Sequence, residues 1–284
     1  MKALAISKLP KVHGLLPLGV GHELVRATAP PRESARRLQL HQRIVEFVGR
    51  SPPGSEDLAR EAPSDGERKT SRSNKGKMKL MLVLMVRNES AILERCVLAA
   101  RPFVDEVLVA DTGSEDSTRD LARGLGAKVV EDTWRNFGWN RTLSIQAART
   151  WAGELGWDLE TSYALVIDAD MLLRGSPEAL RGDLCQMPSG AHLLQKNCYL
   201  EYANQRLMRL SDPWFCEGVT HEYWTGGGDS PLICGAWIED VGDGGCKSDK
   251  FERDERLLLE GLREKPNCER YMFYLAQTYP QNFQ

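Results

Sequence analysis

Residues 80–86 read LMLVLMV, seven apolar residues without interruption. A strand buried on one face alternates apolar and polar positions. An unbroken apolar run of this length instead suits a strand covered on both faces, as in a parallel sheet flanked by helices. The pattern continues downstream. Residues 89–100 read as a helix, 106–111 as a strand, and 117–125 as a helix that Gly126 ends. Residues 127–131 read as a third strand, 140–152 as a long helix, and 163–167 as a fourth strand running directly into Asp168. Strand and helix alternating at this spacing predict βαβ units and a parallel sheet, with ligands at the carboxyl ends of the strands. Three polar turns fall at those ends: Arg87-Asn88-Glu89, Asp111-Thr112-Gly113-Ser114 and Asp168-Ala169-Asp170.

Beyond residue 172 the alternation loosens. Residues 193–200 and 205–210 read as strands of an antiparallel addition, and 249–279 as helix–turn–helix. A single helical pair cannot bury both its faces, so the pair resembles the first unit of a repeat. Upstream, residues 51–77 contain almost nothing that packs and read as a disordered linker. Residues 34–50 form either an amphipathic helix with Leu38, Ile44, Val45 and Val48 on one side, or a marginal helix on a loose arm. The expected division is 1–78 as a largely disordered arm and linker, 79–246 as the α/β domain, and 247–284 as a helical hairpin.

Charge separates the arm from the domain. Residues 1–78 hold 15 Lys and Arg against 8 Asp and Glu, although the whole chain of 284 residues carries a net charge of −3. The folded part is therefore acidic, which argues against a nucleic-acid-binding core. Seven cysteines stand singly with no Cys-x-x-Cys pair, which reads as free thiols in a reducing compartment. No apolar run approaches the roughly 20 residues that span a bilayer. A cytoplasmic protein is expected; the basic bias of the first 32 residues, where Glu23 is the one acid, is a weak mark of an organelle transit peptide.

Asp168 and Asp170 stand two apart, so extended backbone projects both to one face. Two such carboxylates make a hard oxygen site for Mg²⁺ or Mn²⁺, which bridges phosphate oxygens; the plainer alternative is a turn with two solvated acids. In DTGSEDST, residues 111–118, Gly113 permits a tight turn and Asp116 or Ser117 caps the next helix. That capping role leaves Asp111 and Thr112 unexplained, and a carboxylate at Asp111 can accept a base N–H. Neither G-x-G-x-x-G after a strand nor G-x-x-x-x-G-K-[ST] is present.

VRNES at 86–90, DTGSEDST at 111–118, the Asn140-Arg141 helix start and DAD at 168–170 occur in this order. Together they resemble a family 2 glycosyltransferase of the GT-A fold over residues 79–243. The ending resembles the junction to tetratricopeptide-like repeats in one branch of that family. The resemblance implies a nucleotide-sugar donor (a UDP- or GDP-sugar), an acceptor hydroxyl of unknown identity, inverting transfer and a Mn²⁺ or Mg²⁺ ion. It implies that Val86, Arg87, Glu89, Asp111 and Asp168 hold the nucleoside. Arg141 then reaches the diphosphate, or is a surface arginine. The catalytic base is sought among Glu217, Glu222, Asp240 and Asp243, with Glu222 first and Asp240 beside it. His221 is either a third metal or phosphate ligand or a structural histidine near Tyr223 and Trp224. Trp214, Phe215, Tyr223 and Trp224 suit sugar faces, and Gly226–Gly228 supplies a loop that can close over the donor. Two other readings compete: a nucleotidyltransferase of similar fold, and a non-catalytic module whose C-terminal helices bind a protein partner.

Overall fold

A computed structural model describes residues 78–185, 189–245 and 250–278. The expectations for residues 1–77, including the helix at 34–50 and the linker, lie outside these. So do residues 246–249 and 279–284.

Strand β1 (Lys79–Val86) lies inside an eight-stranded sheet, third from one edge. It pairs in parallel with β2 (Glu106–Asp111) on one side and β4 (Ser162–Ile167) on the other, and β2 pairs in parallel with β3 (Lys128–Glu131). The apolar run is buried on both faces, as its composition demands. Leu80, Leu82 and Leu84 pack in one layer with Leu93, Cys96 and Val97 of α1 (Leu93–Ala100) and Leu180 of α4 (Pro177–Leu184). Met81 and Val83 pack in the other with Ile145, Ala148 and Ala152 of α3 (Phe137–Glu154). The short α2 (Thr118–Gly124) joins β2 to β3 and adds Ala122 to the first layer.

The sheet order is β3-β2-β1-β4-β7-β6-β10-β5. Beyond β4 it turns mixed: β7 (Glu201–Arg209) runs antiparallel to both β4 and β6 (Gly190–Lys196), β10 (Leu232–Asp240) parallel to β6, and β5 (Met171–Gly175) antiparallel to β10. Four of the seven pairings are parallel, so this is the α/β, mostly parallel, helix-flanked sheet expected of a GT-A-like chain. The antiparallel addition was expected at 193–200, but β6 stops at Lys196. There Asn197 Oδ1 accepts from the amides of Tyr199 and Leu200 and turns the chain into β7.

A two-stranded ribbon, β8 (Phe215–Glu217) with β9 (Tyr223–Thr225), precedes β10. The helical hairpin is α5 (Lys250–Glu264) and α6 (Glu269–Thr278). Its apolar faces meet: Leu257, Leu258 and Leu262 are buried, as are Tyr271, Met272 and Leu275. Gly261 permits this approach, since a Cβ there would lie 2.8 Å from the Tyr271 ring and 3.1 Å from Val219. No helix among the described residues is long and apolar enough to cross a membrane.

Candidate active site

The chain leaves β1 for β2 and β3 on one side, then returns to β4 on the other, so β1 and β4 mark a switch point where a crevice opens. Register fixes what lines it. Val86 pairs with Asp111 and Leu84 with Ile167, so Asp111 and Asp168 end their strands at nearly one level on either side of β1. The crevice is a cleft of about 1290 Å³ lined by Val86, Arg87, Glu89, Arg141, Asp168, Asp170 and Asp240, among others.

The turns after β1 and β2 are interlocked. The Thr112 amide and hydroxyl both donate to the Val86 carbonyl, at 2.9 and 3.1 Å. Asn88 and Glu89 amides donate to Ser114 Oγ and Thr118 Oγ1, and Asn88 Oδ1 accepts from the Glu115 amide. Asn88 adopts φ +55°, a conformation that asparagine tolerates better than most side chains. Asp111 is 1% exposed; its Oδ1 accepts from the Gly113 and Ser114 amides, whereas its Oδ2 is buried without a hydrogen-bond partner. Asp116 accepts from the Thr118 amide, so it and not Ser117 supplies the side-chain cap of α2.

Asp168 and Asp170 lie in a turn, not on extended backbone, because the Met171 amide donates to the Asp168 carbonyl at 3.0 Å. Arg141 Nη2 donates to Asp168 Oδ1 at 2.8 Å, and Arg206 Nη1 lies 3.8 Å from its Oδ2. Burial alone would raise the Asp168 carboxyl, but these two guanidinium groups hold it below the usual carboxylate value. Arg141 also donates through Nε to Glu222 Oε1 at 2.6 Å. On the other side, Arg206 donates to Gln195 Oε1, and Gln195 Nε2 donates to Asp240 Oδ2 at 2.9 Å. One polar chain, buried at Arg141, Arg206 and Gln195, thus links Glu222, Arg141, Asp168, Arg206, Gln195 and Asp240. Glu89 is raised above its usual value, first by burial and then by the charges of Asp170, Asp116 and Asp168.

Residues 81–176 match the family model described as glycosyl transferase family 2. Over this segment the chain is similar to family 2 glycosyltransferases. Over 103 residues the chain is 36% identical to a TPR repeat-containing protein of Synechococcus elongatus, covering 35% of this chain and 25% of that one. It is also 37% identical over 88 residues to an uncharacterized glycosyltransferase of Rickettsia bellii, covering 31% of this chain and 30% of the relative. The chain therefore spans about a quarter to a third of the length of these curated relatives. A glucosyl-3-phosphoglycerate synthase from Mycobacterium tuberculosis, solved with Mn²⁺ and UDP-glucose, is 19% identical, with 50% of this chain and 61% of that chain covered and a TM-score of 0.37.

Not every residue expected at the site lies in the cleft. Glu222 and His221 are not among the lining residues. The His221 ring stacks on Tyr274 with centroids 4.0 Å apart, and its Nε2 lies 3.7 Å from Asp254 Oδ2. Among the described residues no three His, Cys, Asp or Glu side chains are grouped to hold a metal ion. Arg141 is not at the helix start: Asn136 caps α3 by accepting from the Trp139 amide, and Arg141 sits one turn further in. Asn140-Arg141-Thr142 fits the N-x-[ST] glycosylation pattern, but Asn140 is 1% exposed and donates to the Thr133 carbonyl, so its amide is sealed inside the fold.

Glu217 accepts from the Tyr223 hydroxyl on the ribbon, and Asp243 pairs with Arg95. The 226–228 glycines do not arch over the cleft. Gly227 lies flat on the buried Trp214 ring, where an added Cβ would meet the ring at 1.9 Å. The aromatic lining comes instead from Trp134, Phe137, Tyr199 and Trp237. Sequence reasoning also missed Arg206, a buried cation in the second half of β7; the one local sign is an arginine directly before the apolar pair Leu207-Met208.

Proposed function

We propose that the chain transfers a glycosyl group from a nucleoside-diphosphate sugar, a UDP- or GDP-sugar, to an acceptor hydroxyl with inversion. The observation that carries this reading is the buried, unpartnered Oδ2 of Asp111, two strands from Asp168. Two inter-strand spacings are about 10 Å, a separation that a nucleoside bridges between its base and its diphosphate. In this reading Asp111 Oδ2 accepts an N–H of the base, and Val86, Arg87 and Glu89 line the nucleoside side. Arg141, whose Nη1 has no hydrogen-bond partner, donates toward the diphosphate.

Asp168 and Asp170 suit Mn²⁺ or Mg²⁺. These ions are commonly held by one or two carboxylates plus substrate phosphates, so a third protein ligand is not required. The charges crowding Glu89 point the same way, since a cation relieves them. When bound, the ion neutralises charge on the departing diphosphate.

Asp240 is the better placed base. It lines the cleft with one oxygen held by Gln195, whereas the Glu222 carboxylate is committed to Arg141. Asp240 takes the proton of the acceptor hydroxyl as that oxygen bonds to the anomeric carbon. The bond from that carbon to the phosphate oxygen breaks, and the nucleoside diphosphate leaves with the electron pair.

The test is a turnover screen of UDP- and GDP-sugars with the full chain, reading nucleoside diphosphate release. Asp240→Asn is expected to lower turnover by roughly 10²–10⁴-fold. Turnover unchanged in Asp240→Asn removes it as the base, and release of no nucleoside diphosphate by wild type removes the reading.

A further inference from the structure

Helix α5 lines the cleft with Lys250, Arg253 and Arg256. Spaced at i, i+3 and i+6, these three make one stripe along the helix. Its other side is fixed. Leu257, Leu258 and Leu262 are buried. Asp254, 2% exposed, accepts from Thr220 Oγ1 at 3.1 Å and lies near His221 Nε2, while Arg270 Nη2 donates to the His221 carbonyl. The rotation of α5 about its axis is therefore set by the segment that supplies Glu222 to Arg141. At the start of α3, the Phe137 and Gly138 amides donate to the Val219 and Gly218 carbonyls, so the same segment is clamped from both sides.

Two of the cations on this stripe, Lys250 and Arg256, are not drawn into ion pairs among the described residues. The Arg253 guanidinium lies 5.1 Å from the Phe137 ring, with its Nε 3.5 Å from Asp254 Oδ1. The Asp168 carboxylate across the cleft is already held by Arg141 and Arg206. A stripe of cations opening on a cleft suits a multiply charged anion.

We infer that α5 is part of the donor site, with Lys250, Arg253 and Arg256 holding the terminal phosphate of the donor's diphosphate. This rests on the donor reading proposed above, and it makes the hairpin a working part of the transferase site.

The full chain is titrated calorimetrically with UDP, UMP, GDP and GMP in the presence of Mn²⁺. Wild type is expected to bind the diphosphate of one pair more tightly than its monophosphate. K250Q/R256Q, both at exposed positions, is expected to lose about ten-fold or more in diphosphate affinity while monophosphate binding is unchanged. Arg263→Gln, exposed on the same helix and outside the cleft, is expected to match wild type. A diphosphate-to-monophosphate ratio in K250Q/R256Q equal to that of wild type overturns the role of α5 alone. Failure of wild type to bind any of the four nucleotides overturns the donor reading and this inference together.

Discussion

Arg141 Nε donates to Glu222 Oε1 at 2.6 Å, joining residues 81 positions apart in sequence at the edge of the cleft. Both side chains are nearly enclosed, at 10% and 16% accessible, and the same guanidinium holds Asp168. The pair makes Glu222 a residue that positions Arg141.

Removing Glu222 leaves Arg141 with one carboxylate for its buried charge. Glu222→Ala is expected to lower stability in urea denaturation by about 3 kcal/mol, within the range for breaking a buried pair. Glu222→Gln keeps a hydrogen-bond acceptor and is expected to lose less and to retain most turnover. Abolished turnover in Glu222→Gln with an unchanged unfolding midpoint would return the base role to Glu222.

Gly138 bears on the same pair through the backbone. A Cβ there would stand 2.4 Å from the Gly218 carbonyl oxygen and 2.9 Å from that of Cys216, backbone atoms that cannot swing aside. Gly138→Ala is expected to cost about 1–3 kcal/mol and to reduce turnover by displacing the segment that leads to Glu222. Gly182, in α4 with open space around it, gives the opposite sign. Gly182→Ala is expected to gain about 0.5–1 kcal/mol. Equal effects at the two sites would contradict the backbone contact.

His221 gives a pH signature. Its pKa is depressed, first by burial and partly offset by Asp254, with Lys250, Arg270 and Glu222 also facing it. The unfolded chain therefore binds the proton more readily. Stability from this group is fully present above the ordinary histidine value of 6.5 and falls as pH drops below it. His221 has φ +50°, which asparagine tolerates, so His221→Asn is the conservative replacement. Melting temperature against pH is expected to flatten below 6.5 in His221→Asn. An unchanged slope would assign the acid sensitivity to other groups.

How much of this was legible in sequence follows from range. The runs at 80–86 and 163–167 announced β1 and β4 because both faces of each strand are buried, and the polar turn after each strand followed from the topology. Strand β10 escaped because Cys234, Gly235 and Ala236 dilute its alternation, and its pairing with β6 shifts register between Leu232 and Trp237. Strand β5 escaped because its five residues are stabilised by β10, some 65 positions away. Helix α3 starts at Phe137, ahead of the expected Asn140, because its cap is Asn136 in a stretch of aromatic residues that gives little helical periodicity. Asp111 and Asp168 stand out in sequence because each is an acid at the carboxyl end of an apolar strand run. The commitment of Glu222 to Arg141 and the turn of α5 toward the cleft depend on tertiary packing that no local pattern records.

Titration of the full chain with UDP and GDP, with and without Mn²⁺, for wild type and Asp170→Ala, tests the nucleotide-and-metal reading most directly. Wild type is expected to bind one of the two nucleotides with an affinity that Mn²⁺ raises, and Asp170→Ala to lose that metal-dependent gain. Binding of equal strength by both proteins, or binding indifferent to Mn²⁺, would contradict a metal–diphosphate site at Asp168 and Asp170.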